Sequence, residues 1–172
     1  MIKKNILQDT YIIYDDQSII LRKGNLDNII CSNSHSAPSI NKSNDKLIYI
    51  SPFEWEQLGS LMLYDLNLNK LSKLEICIPQ NFTIKKVEWL NDFSILLIVG
   101  FAYGTVSVGG DLYTYNFFTK NLKKILELNK NEEIKDFEIT DNKIYLEKVI
   151  FDTNFDKNYI EKISIERNDI ND

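Results

Sequence analysis

The sequence has one histidine, His35, and that bounds its chemistry. Any Ser-His-Asp or Cys-His mechanism must pass through this residue. It sits in the polar run Ser32-Asn33-Ser34-His35-Ser36, which reads as a solvent-exposed loop. Zinc sites that need several His or Cys ligands are excluded, because the only other soft ligands are Cys31 and Cys77, whose spacing is not that of a metal pair. A chain of this size needs no disulfide between the two cysteines.

Paired carboxylates occur at Glu54 and Glu56 and at Glu132 and Glu133. A glycosidase-type mechanism needs two carboxyls facing each other across a cleft. Glu54, Glu56 and Asp111 are the candidates for a hydrolase of carbohydrate or peptide, and a solvated charged loop explains the glutamates equally well. Gly104-Thr105-Val106-Ser107-Val108-Gly109-Gly110 has the glycine spacing of a phosphate loop. It lacks the lysine, and a strand follows where that motif opens a helix. The glycines read instead as positions of positive φ in a long loop. Asp152, Asn154 and Asp156 set oxygen ligands at alternate positions, like the opening of a calcium loop. Lys157 stands where glycine is wanted and Ile163 where a bidentate glutamate is wanted, so an Asn/Asp-rich turn fits as well. A calcium-stabilised structural domain is the corresponding function. No cofactor is expected.

These residues hang on a β framework. Residues 84–126 form a unit: a strand at 87–90, a turn at Asn91-Asp92, and an uncharged strand at 94–99 suited to burial on both faces. A glycine-rich loop over 100–109 follows, then a third strand at 112–117 and a short fourth at 122–126. Short connections make this a meander. The turn recurs as Asp15-Asp16, Asn44-Asp45 and Asp141-Asn142, each followed by an apolar strand. The last three markers lie roughly 47 to 50 residues apart and the first gap is shorter, about 29, a range that fits propeller blades. Gly59-Ser60-Leu61-Met62-Leu63-Tyr64-Asp65-Leu66 aligns with Gly110-Asp111-Leu112-Tyr113-Thr114-Tyr115-Asn116-Phe117, without a gap through Leu74 and Ile125. The expected fold is all-β: a small or partial β-propeller of about four antiparallel meander units in one domain, with an irregular β-sandwich as the alternative. Residues 2–7 resemble a fourth strand. They either fray or pair with residues 159–165 and close the ring.

Asn44-Asp45-Lys46-Leu47-Ile48-Tyr49-Ile50 with residues 59–70 resembles the TolB-like and WD40-like β-propeller repeat, over about residues 38–165. Residues 100–113 also resemble a Firmicute family of unknown function, of Clostridium and Bacillus type. The resemblance implies a propeller but no activity, because propellers host binding and catalysis alike.

In such blades the connections 51–59, 100–109 and 151–157 emerge on one face. Two are aromatic, and aromatic loop residues are the functional candidates. The ligand-binding set is Trp55, Glu54, Glu56, Phe101, Tyr103 and the loop hydroxyls Thr105 and Ser107. Trp55 is expected to fold inward as a plug and Tyr103 to stay outside as an anchor. The leading function is a non-enzymatic module binding a protein or peptide. The net charge of −5 argues against nucleic acid and anionic membrane. A hydrophobic content of 44% excludes a disordered chain. The longest apolar run is too short to insert in a membrane. No apolar stretch follows Met1-Ile2-Lys3-Lys4, so the chain is read as cytoplasmic, or as exported if a signal was trimmed.

Overall fold

The computed structural model describes residues 1–7, 9–104, 106 and 109–170. Four antiparallel sheets follow one another along the chain. Sheet 1 is β1 (Ile2–Leu7), β2 (Thr10–Tyr14), β3 (Ile19–Lys23) and β4 (Leu26–Cys31). Sheet 2 is β5 (Ser39–Ile40), β6 (Lys46–Ser51), β7 (Ser60–Asp65) and β8 (Lys70–Leu74). Sheet 3 is β9 (Phe82–Trp89), β10 (Ser94–Phe101), β11 (Asp111–Asn116) and β12 (Leu122–Lys124). Sheet 4 is β13 (Glu132–Ile139), β14 (Lys143–Phe151) and β15 (Asn158–Glu166), and one 3-10 turn, Arg167–Ile170, follows it. Each sheet is a meander in sequence order, so the fold is all-β and propeller-like.

Side-chain alternation explains how the sheets stack. In β10, Ile95, Leu97 and Val99 enter one core with Ile48, Ile50 and Leu61 of sheet 2. Leu96 and Ile98, on the opposite face, enter a second core with Ile134, Phe137, Ile144 and Leu146 of sheet 4. A third core joins sheets 1 and 2 through Ile12, Ile19, Leu47 and Tyr49. An uncharged strand thus serves two cores, as its composition requires.

The turns confirm the internal repeat at atomic detail. Asp65 Oδ1 accepts the N–H groups of Asn67 and Leu68 at 2.9 and 2.8 Å. Asn116 Oδ1, at the aligned position, accepts those of Phe118 and Thr119 at 2.9 and 3.1 Å. Asn69 and Lys120, also aligned, both take positive φ, 52° and 55°.

Sheet 1 departs from the expected frame. Residues 2–7 do not pair with residues 159–165. They form β1, which pairs with β2, with Ile2 opposite Tyr14 and Lys4 opposite Ile12. Residues 159–165 belong to β15 and pair with β14. The Asp15-Asp16 turn therefore joins the second and third strands, not the first and second. Counted from the β1–β2 turn at Asp9 the first interval lengthens but is still shorter than the other two. The local pairing wins because β1 needs only the turn at Asp9 to reach its partner, and loop closure is cheapest over short separations.

The glycines also act differently from expectation. Gly104 takes positive φ, 89°, but Gly100, Gly109 and Gly110 do not. These three allow backbones to touch. A Cβ on Gly100 would lie 1.9 Å from the carbonyl oxygen of Gly109, and one on Gly109 would lie 2.3 Å from that of Ile134. Gly110 and Ile134 exchange backbone hydrogen bonds of 3.0 and 2.8 Å, which links sheet 3 to sheet 4.

Candidate functional site

The connection from β6 to β7 is held at both ends. Phe53 N–H donates to Ser34 Oγ at 3.3 Å, and Gly59 N–H donates to Thr83 Oγ1 at 3.0 Å. Gly59 has to be glycine, because a Cβ there would lie 2.8 Å from the carbonyl oxygen of Pro52. Between these anchors the loop bulges outward. Glu56 takes positive φ, 55°, and its carboxylate accepts the Gly104 N–H at 3.0 Å. The neighbouring β10–β11 connection is tied a second time, by Ala102 N–H to the Asn81 carbonyl at 2.9 Å. A cleft of about 320 Å³ lies between the two loops, walled by Phe53, Trp55 and Glu56, floored by Thr83 and Lys85 of β9, and closed by Gly104.

Trp55 stands 64% exposed over this cleft and Phe53 is 44% exposed. The expected inward plug at Trp55 is therefore corrected: the outward bulge of the loop carries the ring into solvent. Tyr103 is 38% exposed and packs edge-on against Phe101, with ring centroids 5.8 Å apart. Phe101 is not a loop residue. It ends β10 opposite Phe82, and those rings also meet edge-on at 5.9 Å. Trp55, Glu54 and Glu56 thus come together in the cleft, while Phe101 and Tyr103 form an adjoining aromatic ridge. Thr105 and Ser107 lie outside the described residues.

The carboxylates are engaged by neighbours. Glu54 accepts a hydrogen bond from Gln57 Nε2 at 2.9 Å, and Glu56 holds Gly104. Asp111 pairs with Lys124 at 3.1 Å in sheet 3 and does not line the cleft. His35 is buried, not an exposed loop residue. Its Nδ1 lies 2.8 Å from the Ser36 carbonyl and its ring meets Tyr49 edge-on, because the loop folds back beneath β6. Cys31 is buried, Cys77 is exposed, and both are free thiols.

Asp152, Asn154 and Asp156 lie in the β14–β15 turn. Asp152 Oδ1 accepts the Asp156 N–H at 2.9 Å, and Phe155 stacks on Phe151. Among the described residues no group of three His, Cys, Asp or Glu side chains is placed to hold a metal ion.

Thr83 and Lys85 were missed by reasoning from loops alone. Both belong to β9, where polar Thr83, Lys85, Lys86 and Glu88 are interleaved with apolar residues, so nothing in the strand's sequence singled these two out. Burial pushes the Lys85 ammonium below its ordinary pKa, against the pull of Glu133.

Residues 51–167 match the family described as Domain of unknown function (DUF4652). The chain belongs to this family. The matched span begins at the cleft loop and ends after β15, so the cleft lies within the DUF4652 region. No curated protein matches the sequence. Among solved structures, this DUF4652 chain is similar to a candidate conserved lipoprotein of Clostridium novyi NT, with a TM-score of 0.70 at 19% identity over 77% of this chain and 86% of that one. It is also similar to the β-propeller domain of the Trilobed protease of Pyrococcus furiosus, described as having an open velcro topology, with a TM-score of 0.52 at 15% identity over 90% and 54%. A third likeness is to the tricorn protease, with a TM-score of 0.54 at 13% identity over 88% and 15%. The chain thus spans most of the lipoprotein but only 54% and 15% of the other two. At these identities the likeness concerns the fold alone, which is that of a β-propeller.

Proposed function

We propose that this DUF4652 chain is a non-enzymatic binding module that holds a segment of a protein or peptide in the cleft between the β6–β7 and β10–β11 connections. The observation that carries the reading is Trp55, a large aromatic side chain 64% exposed above a cleft walled by a second exposed ring, Phe53. Exposed aromatics over a concave, mostly apolar surface are the usual anchors of recognition. The local carboxylates support binding over hydrolysis, because Glu54 and Glu56 are used to shape the loops. No helix among the described residues is long and apolar enough to cross a membrane. The likeness to a candidate lipoprotein favours an exported location over a cytoplasmic one.

The test is selection from a displayed peptide library, comparing the wild type with Trp55→Ala. Peptides enriched by the wild type should be lost by the variant while its melting curve stays unchanged. A selected set that binds both proteins equally would remove the cleft from consideration.

A further inference from the structure

Three apolar cores serve four sheets. One joins sheets 1 and 2, one joins sheets 2 and 3, and one joins sheets 3 and 4. Among the described residues no core joins sheet 4 to sheet 1. The first strands still gather about one axis: Lys4 of β1, Ser39 of β5, Lys85 of β9 and Lys135 of β13 line a single cavity of about 410 Å³. Lys85 and Lys135 are each skipped by their ladder, as the extra residue of a β-bulge. The four sheets are thus an arc of a ring, with one uncovered sheet face at each end. Of this chain, 90% matches 54% of the Pyrococcus furiosus propeller domain, so a ring of that fold holds about two such arcs.

Residues directly opposite in a ladder share a face of the sheet. On sheet 1 the face turned away from sheet 2 carries the row Lys3, Ile13, Ile20 and Ile29, and Ile29 is 65% exposed. Its other charges, Arg22 and Asp27, pair with each other at 2.6 Å. Lys3 lies over the Tyr11 ring at 3.8 Å and meets no carboxylate, so this face is net positive. On sheet 4 the face turned away from sheet 3 carries the rows Glu138, Tyr145 and Ser164, then Asp136, Glu147 and Lys162, then Glu133, Val149 and Ile160. Tyr145 and Ile160 are 49% and 48% exposed. Lys162 pairs with Glu147 and Lys143 with Glu166, while Asp136 is held by Lys86 of sheet 3. Glu133 accepts the Gly109 N–H, and Glu138 has no partner among the described residues. This face is net negative. The junction of sheets 3 and 4 shows how neighbouring first strands are tied: Lys86 of β9 reaches Asp136 and the Phe137 carbonyl of β13 at 2.6 Å each. Lys3 of β1 and Glu138 of β13 are the uncommitted lysine and carboxylate of the two end faces.

We propose that the occupant of both end faces is a second copy of this chain, and that two arcs close head to tail into one eight-sheet ring. The sheet 1 face of each copy covers the sheet 4 face of the other, so the two contacts are identical and a two-fold axis runs along the ring. Charge selects this order. Like faces would set Lys3 against Lys3 or the sheet 4 carboxylates against each other, whereas unlike faces set positive against negative over Ile29, Tyr145 and Ile160. A head-to-tail contact that closes leaves no face open, and one that does not close builds a filament. The second copy also completes the wall of the axial cavity. The inference goes beyond the cleft reading and does not depend on it, because the Trp55 cleft lies between sheets 2 and 3.

The test is sedimentation equilibrium of the chain from low to high micromolar concentration. The mass should reach twice the 20.1 kDa of one chain and stop there. Ile29→Glu puts a negative charge on the positive face and Ile160→Lys a positive charge on the negative one. Both side chains are exposed, so the far-UV spectrum of each variant should match the wild type. Each substitution should weaken the dimer at least about tenfold. An equimolar mixture of the two variants should restore it, because the mixed dimer has one unsubstituted contact and one that sets the introduced glutamate against the introduced lysine. A wild type that sediments as a single chain throughout overturns the proposal, as does a dimer that either variant retains. An unrestored mixture overturns the pairing of the faces. A mass that keeps rising with concentration overturns the closed ring.

Discussion

The Glu56 carboxylate accepts the Gly104 N–H at 3.0 Å and thereby joins two loops separated by 48 positions in sequence. This contact bridges the two connections that wall the cleft. It is the feature that turns two blade connections into one site.

Removing the acceptor should loosen the second loop. In Glu56→Ala, hydrogen exchange at the Gly104 amide is expected to accelerate roughly two- to tenfold, the factor one net hydrogen bond supplies. Glu56→Gln keeps an acceptor oxygen and should remain near the wild-type rate. Exchange measured by mass spectrometry over residues 100–104 checks both.

The two tryptophans should respond in opposite ways. Trp55 is exposed, and its replacement by alanine should change the unfolding free energy by less than about 1 kcal/mol. Trp89 is 8% exposed, stacks on Phe117 at 5.1 Å and donates its indole N–H to the Ser39 carbonyl at 3.2 Å. Trp89→Ala should cost about 3–5 kcal/mol. Urea denaturation of the two variants separates them, and a large loss in Trp55→Ala would restore the plug.

Deletion of residues 1–7 should expose the edge of sheet 1, not of sheet 4. It removes the buried Ile6 and the whole ladder with β2. The expected cost is at least about 2 kcal/mol, from apolar burial alone. Amide protection should fall across β2 and stay unchanged across β15. The opposite pattern would mean that the chain ends pair with each other.

Asp45 should contribute to acid sensitivity. Asn41 Nδ2 donates to its carboxylate at 2.6 Å and Lys46 approaches at 3.1 Å. The Asn41 hydrogen bond first, then Lys46, holds the carboxyl below its ordinary value of 3.8. A carboxylate depressed in the folded state stabilises fully above its unfolded pKa. That contribution is lost as pH falls through the lower folded value. Stability measured from pH 5 down to pH 2 should therefore fall less steeply in Asp45→Asn than in the wild type.

Much of the architecture was legible in the residues. The uncharged run in β10 implied burial on both faces, and it supplies two cores. The alignment of residues 59–74 with residues 110–125 implied equal turns, and Asp65 and Asn116 cap them in the same way. These features are local, since a turn residue bonds to its own backbone and a strand's faces alternate by covalent geometry. A shared pattern was also in plain view: Ile2-Lys3-Lys4 and Ile84-Lys85-Lys86 are the same three residues, each in the first strand of its sheet.

Sequence alone determined the strand content, the meander connections and the aromatic character of one loop face. Only the tertiary structure decided which strand β1 joins, that Trp55 points outward, and that His35 is buried. It also decided that glycines at 100, 109 and 110 serve close backbone contact, and that Lys85 and Lys135 leave their ladders toward a common cavity. Each of these depends on groups far apart in the chain: a neighbouring backbone, a facing sheet, a register shift of one residue. Residue type limits what a side chain can do, but the packing of other blades around it determines which of those options is realised.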